Sequence, residues 1–188
     1  MLKTIPKAKS QLINFLITTN VKAIHGHFPI AKYEGYFPHA QRIVWLRNPV
    51  QRLISTYYFL LSEPSTWVAD PLAKGIAEIG MDIYDFVELS AMQNQISNYY
   101  CRGRQLKDFD FIGIHEHFTE DLIQLKNLMK LPDFTWEIIN DNKYPNYQDS
   151  VSTLMNDSKL IEKISLSNKE DIELYELALK LRETRRKS

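Results

Sequence analysis

Two short apolar runs, each followed by a predicted helix, constrain the fold of this chain more than any other feature. The first run covers residues 42–46 and the second covers residues 110–114. Continuous β-branched and aromatic residues are typical of strands that are buried on both faces of a parallel sheet. A helix is predicted over residues 50–61, with Pro49 at its first position, and another over residues 119–129. Strands that alternate with helices predict a parallel α/β sheet.

The rest of the chain is predicted to form one domain over residues 1–188, a length that suits a single core. Further helices are predicted over residues 11–18, 83–100 (as one or two helices) and 169–185, a further strand over residues 21–25, and loops over residues 29–40, 63–81 and 132–150. The basic residues at the end of the last helix are predicted to form a solvated, frayed tail. The sequence contains no apolar run of membrane-spanning length and no recognisable signal peptide, so a cytoplasmic protein without a membrane span is expected.

Charge and composition exclude several classes of function. The chain has 23 basic and 23 acidic residues, so its net charge gives no general attraction to nucleic acid or to an anionic membrane. Its six glycines are scattered and form neither a Walker A loop nor a GxGxxG turn. The single cysteine, Cys101, cannot form an internal disulfide or a cysteine-rich zinc site. Any anion that the protein binds must therefore be held by a local cluster.

Such a cluster is predicted where the strand over residues 42–46 ends. Ligands of open α/β sheets bind beyond the carboxyl ends of the strands. Arg47 follows this strand directly, and its planar fork of donors suits a phosphate. The helix that begins at Pro49 offers free backbone N–H groups and the positive end of its dipole. Ser55, within the same helix, can donate a hydroxyl group. Together these groups predict a phosphate site that needs no glycine-rich loop.

Histidines follow both of the other predicted strands. His25 and His27 would lie on one face of an extended segment, and a histidine with a near-neutral pKa suits a general base. The same pair could instead bind a metal, together with His115, Glu116 and His117 after the strand over residues 110–114. The residues alone leave both interpretations open.

Five segments resemble those of carbohydrate-type sulfotransferases, of the heparan-sulfate 2-O and bacterial kind. Residues 47–58, RNPVQRLISTYY, resemble the RxPxxRxxSxY segment of that family, and residues 25–29, HGHFP, are similar to its GHF(P/A) segment. Residues 94–99, 111–118 and 168–175 resemble the family segments NxxSxY, FVGLTERF and NxxDxxLY. The five segments occur in the family order over residues 21–180.

This resemblance implies a three-layer, P-loop-NTPase-like fold with a central parallel sheet flanked by helices. It implies 3′-phosphoadenosine-5′-phosphosulfate (PAPS) as cofactor and PAP as product, without a metal or nucleic acid. The acceptor would be a hydroxyl group of a saccharide or other small molecule, with His27 as catalytic base and His25 as a supporting or alternative base. Arg47 and Ser55 would bind the 3′-phosphate, whereas Arg52 would be either another ligand or an ion-pair partner.

Two further groups of residues are compared with the family. Asn94, Ser97 and Tyr99 would either line the acceptor site or cap and pack a helix. Residues 5–10 begin like the IPKTxGTS loop that binds the 5′-phosphosulfate, but the family glycine is missing. Lys7, with Lys9 and Ser10, forms either a shortened version of this loop, in which Lys7 is catalytic, or only the start of a surface helix. The second interpretation implies a relative that binds nucleotide without catalysis.

Overall fold

The structure is a computed structural model that describes residues 7–19, 21–62, 76, 78–135 and 142–187, without the side chains of residues 7–10 and 187. The chain is a mixture of helices and strands. In chain order, the elements are α1 (Lys7–Thr18), β1 (Ile43–Leu46), α2 (Pro49–Ser62), α3 (Ile83–Phe86), β2 (Phe111–Ile114), α4 (Phe118–Met129), α5 (Tyr147–Met155), α6 (Ser158–Ser167) and α7 (Lys169–Lys187). Short single turns of other helix types connect some of them.

The two strands form a small parallel sheet within the described residues, as the two apolar runs predict. Ile43 pairs with Phe111, and the register continues to Leu46 and Ile114. The four residues of β2 are all buried, which explains its continuous apolar sequence. The helices after both strands lie within one residue of their predicted starts, and α2 begins at Pro49. The coarse α/β character is therefore confirmed.

Two groups of buried side chains stabilise this arrangement. One lies between α2, α3 and α6 and includes Leu53, Ile54, Phe86, Leu160 and Ile164. The other lies against the sheet and includes Leu46, Cys101, Leu106, Ile114 and Ala178. Since α7 contributes to the second group and also contacts α2, it connects the sheet to the helices.

Some predicted elements differ from the structure. The strand over residues 21–25 is wrong, because this segment is irregular and exposed and pairs with no strand in the described chain. His25 and His27 therefore do not follow a strand. The helix predicted over residues 83–100 is divided into α3, a 3-10 turn (Ser90–Met92) and a π turn (Ile96–Tyr100). The loop predicted over residues 132–150 ends where α5 begins, and residues 63–75, 77 and 136–141 of the predicted loops lie outside the described part.

The prediction of a frayed basic tail is also wrong. Helix α7 continues to Lys187, and the Arg182 side chain is only 4% exposed. Its Nε donates to Asp121 Oδ1 at 2.7 Å, and its Nη2 donates to Glu120 Oε2 at 2.6 Å. Acidic residues on α4 thus hold the end of α7 against the rest of the protein. These partners are far away in sequence, so the local charge pattern does not reveal them. No described helix combines the length and the apolar character required to cross a bilayer.

Candidate functional site

The site is built where β1 ends and α2 begins. Asn48 caps the helix, since its Oδ1 accepts the backbone N–H of Gln51 at 3.1 Å. Arg47 stands between the last residue of β1 and this cap. Because Leu46 pairs with Ile114, the residues that follow the two strands, Arg47 and His115, lie side by side. Burial and, to a smaller extent, the neighbouring Arg47 charge lower the pKa of His115 below its ordinary value.

Arg47 has no protein partner for its charge among the described residues. Its Nε is buried without a hydrogen-bond partner, and no described carboxylate lies within ion-pair distance. Arg42, Arg104 and Arg182, in contrast, each pair with a carboxylate. A partly buried guanidinium without a protein partner at a helix N-terminus suits an anionic ligand.

Arg52 has protein partners, unlike Arg47. Its Nη1 donates to Gln95 Oε1 at 2.6 Å, and its Nη2 lies 3.7 Å from Asp171 Oδ2. Burial lowers the pKa of Arg52, and the Asp171 carboxylate opposes this effect. The Arg47 charge also acts on Arg52, so the two guanidinium groups are neighbours. Arg52 thus adds positive charge to the site. Its two Nη atoms are held by Gln95 and Asp171, whereas its Nε, like that of Arg47, is buried without a hydrogen-bond partner.

Ser55 lies on α2, one helical turn after Arg52. The hydroxyl of Tyr147 donates to Ser55 Oγ at 3.0 Å, and Asn142 Nδ2 donates to the Ser55 carbonyl at 3.2 Å. Because Ser55 Oγ accepts from Tyr147, its own proton is left to donate to another acceptor. The partners come from the start of α5 and the segment before it, which the sequence interpretation did not connect with this site.

His27 and Arg52 both lie near the same aromatic ring, that of Tyr100. It is exposed, and its ring meets the edge of the Tyr100 ring with centroids 6.4 Å apart at 76°. The Arg52 charge acts on Tyr100, whose pKa burial raises in spite of that charge. Tyr100 therefore connects His27 to the Arg52 side of the site. His25 is exposed on the same irregular segment.

The predicted acceptor residues divide into two kinds. Asn94 Oδ1 accepts the backbone N–H groups of Glu170 and Asp171, at 3.0 and 3.2 Å, and so caps α7. Ser97 donates from its Oγ to Asp171 Oδ1 at 2.5 Å. Tyr99 is 49% exposed and packs edge-on against Tyr100, with centroids 5.0 Å apart. Asn94 and Ser97 thus hold structure together, and the Tyr99 ring faces solvent.

Glu116 also shapes the site. Its Oε1 accepts the backbone N–H of Asn48 at 2.8 Å, and its Oε2 accepts the hydroxyl of Tyr175 at 3.0 Å. Burial and the nearby Glu116 carboxylate raise the pKa of Tyr175. Glu116 therefore fixes the turn that carries Arg47. The family likeness covers residues 111–118 and 168–175 separately, and the sequence analysis did not connect these two residues.

The remaining candidates are not joined to this cluster. In the part of the chain that the structure describes, His25, His27, His115 and His117 belong to no group of three side chains able to hold a metal ion. Residues 5 and 6 lie outside the described part, and so do the side chains of Lys7, Lys9 and Ser10. The backbone of residues 7–10 forms the first turn of α1.

Comparison with known proteins gives one match. A family model described as "Sulfotransferase family" matches residues 3–178, nearly the whole chain. Searches of curated proteins and of solved structures give no significant match. The matched range includes residues 5–10, the π turn and α7 as far as Ala178.

Proposed function

Because the chain belongs to the sulfotransferase family, we propose that it transfers the sulfuryl group of PAPS to a hydroxyl group of a carbohydrate acceptor. Three parts of the site support the proposal: a positive end for the nucleotide phosphate, a base for the acceptor hydroxyl and an aromatic surface near that base. The role of Lys7 rests on the family resemblance of residues 5–10. The proposal includes the three-layer, P-loop-NTPase-like arrangement around the parallel sheet.

The unpaired guanidinium of Arg47 is the observation that carries the proposal. Its Nε is buried without a partner, next to the capped N-terminus of α2. A 3′-phosphate at this position would accept hydrogen bonds from the Arg47 guanidinium and the Ser55 hydroxyl. The positive end of the α2 dipole would also favour its negative charge. The positive charge of Arg52, a neighbour of Arg47, adds to the attraction for this phosphate. PAP is thus expected to bind more tightly than a nucleotide without a 3′-phosphate.

His27 accepts the proton of the acceptor hydroxyl in this proposal. The hydroxyl oxygen bonds to sulfur, the bond between sulfur and the 5′-phosphate oxygen breaks, and PAP leaves with the electron pair. PAPS, when bound, supplies the activated sulfuryl group. His27 is exposed, so an acceptor can reach it, and Tyr100 supports one side of its ring. His25 is the alternative base on the same segment.

Lys7 is proposed to stabilise the charge that develops on the departing 5′-phosphate. The first turn of α1 would add free backbone N–H groups, with Lys9 and Ser10 as further ligands. The family match begins at residue 3 and so includes this turn. The absence of the family glycine here is the reason to keep a nucleotide-binding protein without catalysis as the competing hypothesis.

Tyr99 is the proposed acceptor contact. Its ring is half-exposed beside Tyr100, and an aromatic face of this kind suits the apolar face of a sugar ring. Asn94 and Ser97 would support the backbone on this side of the site through their hydrogen bonds to α7.

A sulfation assay tests the proposed function. PAPS labelled in its sulfuryl group is supplied with a panel of saccharides and simple alcohols, and labelled product is measured for wild type and His27→Gln. We expect turnover by wild type and a loss of about 10²-fold or more in the variant, with PAP affinity unchanged. PAP binding without sulfation of any acceptor would instead support the non-catalytic hypothesis.

A further inference from the structure

We propose that Asp171, on α7, is a positioning residue that holds the Tyr100 side of the site in place relative to α2. The inference rests on the proposed function, because it concerns the alignment of the proposed base with the nucleotide end. The Asp171 carboxylate is completely buried and touches neither His27 nor Arg47 in the structure.

Both oxygens of the carboxylate are used. Oδ2 accepts the backbone N–H of Ile96 at 3.0 Å and faces Arg52 Nη2 at 3.7 Å. Oδ1 accepts the backbone N–H of Ser97 at 2.8 Å and its hydroxyl at 2.5 Å. One buried anion therefore joins Arg52 on α2 to the first residues of the π turn.

The π turn is the element that meets the proposed base. Its last residue, Tyr100, lies against His27, and the Cys101 N–H bonds to the Ile96 carbonyl across the turn at 2.7 Å. A turn with this i→i+5 spacing is rare and occurs often at functional sites. Because Asp171 holds the free N–H groups at the start of the turn, it determines where Tyr100 points.

Asn94 reinforces the connection from the other direction. Its backbone N–H donates to Asn168 Oδ1 at 2.9 Å, while its side chain accepts from the first N–H groups of α7. Asn94 itself has a left-handed backbone, with φ of 47°. The start of α7 and residues 94–97 thus cap each other, and neither can move without the other.

We expect that the loss of the Asp171 charge misaligns the proposed base, His27, but leaves nucleotide binding intact. Removing the negative charge of Asp171 leaves the positive charges of Arg47 and Arg52 in place, so the affinity for PAP should stay constant or rise. Displacement of Tyr100 should change the environment of His27 and slow the transfer step by about tenfold or more, since a small misplacement of a reacting group has a large effect on rate.

The test uses the full chain with Asp171→Asn, Ser97→Ala and Tyr100→Leu. The first readout is the NMR signal of the His27 ring, assigned with His27→Gln, because it requires no activity. We expect Asp171→Asn and Ser97→Ala to shift this signal in the same direction as Tyr100→Leu. An unshifted His27 signal in folded Asp171→Asn would overturn the proposal, whether or not the protein sulfates any acceptor.

A double-mutant cycle on kcat provides the second readout. If Asp171 acts through Tyr100, Asp171→Asn should slow turnover much less in the Tyr100→Leu background than in wild type. Independent, multiplying effects would contradict the proposal, as would loss of PAP binding in folded Asp171→Asn. If Asp171→Asn fails to fold, Ser97→Ala, which removes one hydroxyl bond to the same carboxylate, gives the same two readouts.

Asp157→Asn is the matched control. Asp157 also caps a helix, α6, by accepting the N–H groups of Lys159 and Leu160, both at 3.1 Å. It lies outside the proposed site, so its substitution should lower stability without shifting the His27 signal. A shift as large as that of Asp171→Asn would show that any lost cap disturbs His27, and would overturn the specific role of Asp171.

Discussion

The indole ring of Trp45 lies directly over Gly113, the residue that pairs with it across the sheet. A Cβ atom at Gly113 would stand 2.4 Å from the indole carbon Cε3. The ring also packs against Phe118, with centroids 4.8 Å apart, so it cannot move away freely. Position 113 therefore requires glycine for its lack of a side chain, which allows the aromatic ring to cover the sheet.

Gly113→Ala should consequently lower the free energy of unfolding by about 2 kcal/mol or more, because overpacking moves the ring or the strand. Urea denaturation measures this change. Gly35→Ala is the control, since no atom lies within 4 Å of a Cβ built there. Equal stability of the two variants would show that the indole ring can move aside without cost.

The ion pair between Arg182 and Asp121 should contribute strongly to stability. The side chain of Asp121 is fully buried, and its Oδ2 also accepts the N–H of Ile114 at 2.8 Å. Arg182→Met removes the closer of the two guanidinium partners of this buried carboxylate and leaves only Arg185 Nη2, at 3.4 Å from Asp121 Oδ1, so it should lower the free energy of unfolding by about 3 kcal/mol. The control Arg186→Ala, at an exposed arginine of the same helix, should change it by less than about 0.5 kcal/mol. Similar urea midpoints for both variants would contradict this expectation.

Cys101 should react slowly with thiol reagents in the folded protein. It is buried, and burial raises the pKa of its thiol to about 11. Since the thiolate is the reactive form, ionisation alone should slow the reaction about 100-fold relative to an exposed cysteine at pH 8. The rate of labelling by a disulfide reagent, with and without denaturant, measures this effect. Rapid native-state labelling would contradict the burial of the thiol.

PAP binding should be coupled to the protonation of His115. Burial and Arg47 lower the pKa of this residue, so it is neutral near pH 7 in the free protein. A phosphate next to Arg47 favours the charged imidazole and raises this pKa, so binding should take up a proton and strengthen as the pH falls toward 6. Calorimetry in buffers of different ionisation enthalpy measures the uptake.

His115→Gln is the control for this titration, because the phosphate itself also gains a proton near pH 6. The ratio of wild-type to variant affinity should rise as the pH falls. A ratio that is constant between pH 8 and 6 would place the phosphate away from His115.

Two strands and the helices that follow them were predicted correctly from local sequence. Apolar runs identify β1 and β2, and Pro49 marks the start of α2 because its fixed φ suits the first turn of a helix. The segment over residues 21–25 has a similar local pattern but is not a strand. A strand needs a partner, and a local pattern gives no information on whether one is present.

The candidate site depends even more on contacts that a local sequence pattern does not predict. The position of Arg47 follows from its place after β1, and the family likeness supports it. The partners of Arg52, Asn94 and Ser97 are tens of residues away along the chain, on α7 or, for Gln95, directly before the π turn. Nothing in the sequence near Arg52 indicates that Asp171 faces it. Contacts between distant segments decided which polar residues are left for a ligand.

Calorimetry of PAP and ATP binding to wild type, Arg47→Ala and Arg186→Ala tests whether Arg47 holds the 3′-phosphate. Wild type should bind PAP in preference to ATP, and Arg47→Ala should weaken PAP binding by about tenfold or more, the effect of removing a charge-assisted hydrogen bond. Arg186→Ala should bind PAP like wild type. A preference for ATP, or undiminished binding of PAP by Arg47→Ala, would contradict the assignment of this site.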